Sequence, residues 1–129
     1  MQKKRILIIE DEESLLKLET ILLTVKGYEV TGALTGVDAL KKIADDTFDM
    51  ILLDIMLPDM DGFDICNKLK KNPRTAGIPV VMLTAKNKPV DHQQGVTCGA
   101  SAYLTKPFKS AMIIEVIEKV LRGSSVMEA

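Results

Sequence analysis

The sequence predicts an α/β domain in which a parallel sheet is covered by helices on both faces, and three observations predict it. Continuous apolar runs recur at residues 6–9, 50–53, 80–83 and, more weakly, 102–104. Unbroken runs of branched residues are what strands buried on both faces look like. Between the runs, apolar residues fall three and four apart, the period of a helix packed on one side. Strand and helix signals alternate, which implies right-handed crossovers and a doubly wound sheet.

The first strand, residues 6–9, runs into Glu10-Asp11-Glu12-Glu13. Leu15, Leu18, Leu22 and Val25 then mark the expected core face of the first helix, with Gly27 as its stop. The less apolar stretch 28–31 is read as a strand at a sheet edge. Thr35 is the expected N-cap of a helix carrying Val37, Leu40 and Ala44. After the third strand, Asp61 precedes a helix with Phe63, Cys66 and Leu69, and Gly77 is its expected stop. The fourth helix, expected over about 88–98, contains Pro89 and Gly95 and only Val90 and Val96 as larger apolar residues. An interior Gly costs ~1 kcal/mol relative to Ala, so this helix is expected to be the most labile element. In the last helix, Ile113, Val116, Ile117 and Val120 follow Ser110, and Gly123 ends the pattern.

A chain of 129 residues suits one domain. Seventeen basic against eighteen acidic residues leave a net charge of −1, without the basic footprint of direct nucleic-acid or anionic-membrane binding. Cys66 and Cys98 form no CxxC pair or Cys/His cluster, which disfavours a zinc site or disulfide framework and fits a reducing cytosol. Lys3-Lys4-Arg5 resembles the start of a signal peptide, but the apolar run behind it is too short. No run approaches the ~18 residues of a membrane span. The expected location is cytoplasmic.

Open parallel sheets bind ligands beyond the carboxyl ends of their strands, at the point where strand order reverses. Glu10 and Asp11 follow the first strand, Asp54 the third, Thr84-Ala85 the fourth and Lys106-Pro107 the fifth. The second supplies only Gly32-Ala33. Three carboxylates and one ammonium stay ionised together only if a further cation compensates, and a divalent ion brings the sum to zero. Magnesium suits such a site, since it takes one or two carboxylates plus water and phosphate oxygens. A carboxylate is also a competent nucleophile toward phosphorus. Asp54 is therefore the expected phosphoryl acceptor, with Thr84 and Lys106 as partners for the remaining oxygens.

The chain resembles the receiver domain of two-component response regulators, the CheY-like family. The stretches that carry the resemblance are ILIIEDEE at 6–13, DMILLDIMLPDMDG at 49–62, IPVVMLTA at 78–85 and GASAYLTKPF at 99–108. The resemblance covers about 6–121. It implies a flavodoxin-like (βα)5 three-layer sandwich with a five-stranded sheet of order 2-1-3-4-5. It implies residues 1–123 as the receiver domain and 124–129 as a tail or the start of a linker. Asp54 becomes the phosphorylated aspartate, and Glu10, Asp11, Asp54 and the Met56 backbone carbonyl become the Mg²⁺ ligands. Thr84 and Lys106 contact the phosphoryl group, Tyr103 is the switching aromatic, and the Lys106-Pro107 bond is expected to be cis. The implied function is a signalling switch that catalyses only its own phosphorylation and slow dephosphorylation. Its donor is a sensor histidine kinase or phosphotransfer protein. Its output runs through the fourth helix, fifth strand and fifth helix to a partner or output domain, as a monomer or weak phosphorylation-dependent dimer.

Several residues depart from the family pattern. Glu10 stands where many members have Asp; it keeps the charge, and its longer side chain is expected to loosen cation binding slightly. Ser101 and Ala102 replace the acids that precede the switch aromatic in the winged-helix subfamily. Met112 and Val116 stand where charges are expected, so the last helix is read as offering them to a partner. Met56 and Lys86 occupy positions that tune acyl-phosphate lifetime, and the Met56 thioether is expected to make it long.

Simpler readings stand beside these. Glu12 and Glu13 favour the helix start by charge, and Asp59, Asp61 and Asp64 read as turn and cap residues. The cysteines read as small buried hydrophobes, and His92 as exposed and idle. Tyr103 also fits a half-buried strand aromatic with no switching role. Three other functions compete. An aspartyl phosphohydrolase wants an acid where Met56 stands, a non-phosphorylated pseudo-receiver sits badly with the complete acid, Thr and Lys set, and dinucleotide binding lacks its GxGxxG.

Overall fold

In the computed structural model, which describes residues 3–85 and 88–123, strands and helices alternate throughout. They are β1 (Arg5–Ile9), α1 (Glu13–Val25), β2 (Glu29–Ala33), α2 (Gly36–Asp45), β3 (Met50–Leu53), α3 (Gly62–Lys71), β4 (Val80–Thr84), α4 (Pro89–Cys98), β5 (Ala102–Thr105) and α5 (Ser110–Leu121). Every strand pair is parallel and the order is β2-β1-β3-β4-β5. This is the expected class and order, with β2 at an edge.

Successive side chains along a strand point to opposite faces, so each short apolar run feeds two cores. Leu7, Ile9, Ile51, Leu53, Val80 and Met82 pack with residues of α2, α3 and α4. Ile6, Ile8, Met50, Leu52, Val81 and Leu83 pack with residues of α1 and α5. Each fully buried aliphatic side chain contributes roughly 1.5–3 kcal/mol, so strands of four or five residues suffice.

Local capping sets the helix starts. The Thr35 hydroxyl accepts the Asp38 N–H at 3.1 Å, and Asp61 accepts the Phe63 N–H at 2.9 Å. Asp59 accepts the N–H groups of Gly36 and Val37, each at 2.8 Å, tying the loop after β3 to the start of α2. These bonds hold its carboxyl below the usual range. Gly62 is required by space, since a Cβ there would lie 2.5 Å from the Ile55 Cα. Gly99 ends α4 at φ +92°, in the left-handed region.

Several expectations fail. The stripe Leu15, Leu18, Leu22, Val25 is not the core face of α1: Leu18 is 60% and Val25 79% exposed, while Leu23 and Glu19 are buried. Two apolar stripes compete on that helix, and periodicity alone does not say which one the sheet takes. On α2, Val37 and Ala44 face outward and Ala39 and Ile43 inward. Gly32 and Ala33 are the last residues of β2 rather than residues following it. Gly77 stops no helix; α3 ends at Lys71, ahead of Asn72-Pro73, because the residue before a proline disfavours helical geometry. Val116, expected to face a partner, is 8% exposed within the core under α5, whereas Met112 is exposed. His92 is half-buried rather than exposed. Lys86 and 124–129 lie outside the described residues.

Candidate functional site

The residues that follow the strands keep pairing for one more step. The Glu10 N–H donates to the Ala33 carbonyl at 3.0 Å, the Asp54 N–H to the Ile9 carbonyl at 2.9 Å, and the Lys106 N–H to the Thr84 carbonyl at 2.7 Å. Three of the sequence-predicted residues are thus placed by the sheet rather than by loops. Thr84 is wholly buried and pairs with Thr105, one residue before Lys106.

The side chains converge as expected. Carboxylate oxygens of Glu10, Asp11 and Asp54 all lie within 4.8 Å of one another. The Lys106 ammonium donates to Glu10 Oε1 at 2.6 Å and to Asp54 Oδ2 at 3.0 Å. The other oxygen of each acid is also held: Glu10 Oε2 accepts the Glu12 N–H at 3.2 Å, and Asp54 Oδ1 accepts the Met56 N–H at 2.9 Å. Met56 makes an isolated antiparallel bridge with Asp61, and its side chain is exposed. Glu10 and Asp54 are buried and Asp11 exposed, so the cluster opens to solvent on one side.

Burial pushes the Glu10 carboxyl up, against the pull of Lys106 and the Glu12 N–H. Burial draws the Lys106 ammonium down, but its bonds to Glu10 and Asp54 outweigh that and keep it protonated. One ammonium faces three acids, and the site is short of positive charge. Three clustered hard oxygen donors with that deficit fit a divalent cation such as magnesium.

Tyr103 points inward from β5 toward the α4 side, pairing with Met82 in register. Its ring meets that of His92 with centroids 5.0 Å apart and planes tilted by 56°, a favourable aromatic arrangement. Burial, then the charges of Asp91 and Asp54, push its hydroxyl up to about 12. The Lys106-Pro107 bond is cis, as expected. Sequence reasoning missed one buried acid, Glu19. It faces inward from α1, 3% exposed, and neither carboxylate oxygen has a hydrogen-bond partner among the described residues. An acid inside an otherwise apolar helix face was the available signal.

The family model described as the response regulator receiver domain matches residues 6–118. The chain is 43% identical over 124 residues to the response regulator PleD of Caulobacter vibrioides, covering 96% of this chain and 27% of that protein. It is 38% identical over 123 residues to the alkaline phosphatase synthesis transcriptional regulatory protein PhoP of Bacillus subtilis, covering 95% and 50%. It therefore spans about a quarter to half the length of these curated relatives. Among solved structures, a CheY-like response regulator receiver domain protein from Methanospirillum hungatei superposes with a TM-score of 0.89 at 33% identity, covering 95% of this chain and 96% of that one.

Proposed function

As the chain belongs to the response regulator receiver domain family, we propose that Asp54 is its phosphoryl acceptor and the cluster around it the phosphotransfer site. The observation that carries this is the Asp54 carboxylate, buried, held through both oxygens, and bracketed by Lys106 and two further acids. A carboxylate oxygen of Asp54 attacks the phosphorus of a phosphohistidine on a kinase or phosphotransfer protein. The phosphorus–nitrogen bond breaks, the imidazole leaves with its electron pair, and an acyl phosphate remains on Asp54.

Lys106 already bonds to Asp54, so a small shift lets its ammonium pair with a phosphoryl oxygen, and the Thr84 hydroxyl is proposed as a second donor. Glu10, Asp11, Asp54 and the Met56 carbonyl are the residues proposed to hold Mg²⁺. The ion supplies neutralisation of the charge that gathers on acids and phosphoryl oxygens. Tyr103 and the α4, β5 and α5 surface, with Met112 exposed on it, are proposed to carry the change to a partner or output domain. PhoP is named as a transcriptional regulator; nucleic-acid contact, where such an output exists, is proposed for another domain and not for this one.

The test is incubation with a small acyl phosphate donor and Mg²⁺, followed by intact mass. Wild type should gain one phosphate and Asp54→Asn none; equal labelling of both would reject Asp54. Met56→Asn, which offers an amide to orient water where a thioether cannot, should shorten the acyl phosphate lifetime by about tenfold, or 1.4 kcal/mol of barrier. An unchanged lifetime removes Met56 from any role in setting it.

A further inference from the structure

Cys66 and Cys98, which the acceptor chemistry leaves unused, meet in space. Cys66 lies mid-way along α3 and Cys98 is the last residue of α4; both are free and buried. The Cys66 thiol donates to the Cys98 carbonyl at 3.4 Å and the Cys98 thiol to the Gly95 carbonyl at 3.3 Å. The Cys66 sulfur thus lies against the residue that carries the second thiol.

Lys70 lies beside this pair. The stem of Lys70 packs on Gly99, its Cγ 3.4 Å from where a Cβ would stand. Its half-buried ammonium donates to the carbonyls of Ala76 and Ile78, and its field favours the thiolate form of both cysteines. Reactive cysteines occur beside a cation in this way. Proximity to Cys66 draws the Cys98 thiol down against its own burial, with the Ala100 N–H assisting, while proximity to Cys98 and burial push the Cys66 thiol up. Cys98, 5% exposed at the end of α4, is the sulfur placed to attack, and Cys66, 0% exposed mid-way along α3, the one placed to resolve. Access comes through α4, whose buried residues are only Gly95 and Cys98 and whose Val90 is exposed. A helix so thinly anchored opens locally more readily than the strands beneath it.

We propose that Cys66 and Cys98 form a reversible disulfide that pins the end of α4 to α3. The oxidant is a small disulfide of the glutathione class. The Cys98 thiol gives up its proton and its sulfur attacks one oxidant sulfur; the oxidant's S–S bond breaks, and the first glutathione leaves as a thiolate that takes a proton. Cys66 then gives up its proton and attacks the Cys98 sulfur of the mixed disulfide, and the second glutathione leaves and takes that proton. Two protein thiols are oxidised, one small disulfide is reduced to two thiols, and no net proton is exchanged. On the receiver reading, the cross-link also stops α4 from rearranging after Asp54 is phosphorylated.

The test poises the full chain in glutathione buffers of graded ratio, traps free thiols by alkylation, and reads intact mass and cross-linked peptides. No phosphate is involved, so the outcome is independent of whether Asp54 is the acceptor. Expected are the loss of two hydrogens, a Cys66–Cys98 peptide that dithiothreitol abolishes, and amide exchange in 89–98 slowed by about tenfold. Cys66→Ser should stop at one glutathione on Cys98. The proposal is overturned by a lasting glutathione adduct on wild type, by cross-linking between chains, or by a folded pair that oxidises no more readily than the same pair in urea.

Discussion

Glu10 and Glu19 are both almost wholly inside the protein, 2% and 3% exposed, and the fold gives them different partners. At the end of β1, Glu10 meets the Lys106 ammonium and the Glu12 N–H, so burial is answered at both oxygens. On the inner face of α1, Glu19 has no hydrogen-bond partner among the described residues, and its carboxyl is pushed up to about 7, first by burial and then by the field of Glu10. Lys106 draws it down, and Asp54 and Glu12 push it up again. Burial carries the Glu10 carboxyl up to about 7 as well, against the pull of Lys106 and the Glu12 N–H, so the two acids differ in what holds them and not in how readily they take a proton. The difference lies in partners, not in depth.

Removing the shared cation should break the comparison most sharply. Lys106→Met leaves Glu10 and Asp54 buried without their ammonium and should destabilise the metal-free protein by about 3 kcal/mol at alkaline pH. The loss should shrink in mild acid, where the raised Glu10 carboxyl takes a proton. Urea unfolding at the two pH values checks both parts, and a pH-independent loss would mean that packing of the lysine stem dominates.

Glu19→Gln comes next, with the opposite sign. The folded carboxyl lies near 7 against an ordinary 4.5, so the fold disfavours its charged form. Wild-type stability is therefore full below the ordinary value and is lost as pH rises through about 7. The variant should lack that loss, ending roughly 2–3 kcal/mol more stable, relative to wild type, at about pH 8 than at about pH 5. A constant difference across that range would show that Glu19 finds a partner in solution.

The smallest effect separates the two acids. Mg²⁺ at ten times its dissociation constant should stabilise wild type by about 1.4 kcal/mol and Asp11→Asn hardly at all. Glu19→Gln should keep most of that increment, as calorimetric melting with and without the ion will tell. Losing it would place Glu19 among the groups that hold the ion.

The cluster was legible in the sequence because strands ending in Glu10-Asp11, Asp54, Thr84 and Lys106 need only the parallel topology to bring those residues to one edge. What depends on the azimuth of a helix was not. Leu18 and Val25 look like core until Leu23 and Glu19 take the sheet side, and one residue of rotation exchanges them. Val116 has the same ambiguity on α5, where the apolar arc is broad enough for either facing. His92 read as idle because its neighbour, the Tyr103 ring, arrives from a strand eleven residues away. Cys66 and Cys98 are separated by 32 positions, and only the packing of α3 on α4 brings them together.

The backbone bonds that continue the ladder past β1, β3 and β5 have a wider consequence. Spacing among Glu10, Asp54 and Lys106 is inherited from which residue of one strand faces which residue of the next. Inserting a residue into the stretch 55–61 would leave that spacing alone. A single-step slip of β1 against β3 would move an acid by about 3.3 Å and turn every core side chain of that strand to the wrong layer. Misalignment that spoils the chemistry thus also spoils the core, so a chain able to fold at all has its acids in line.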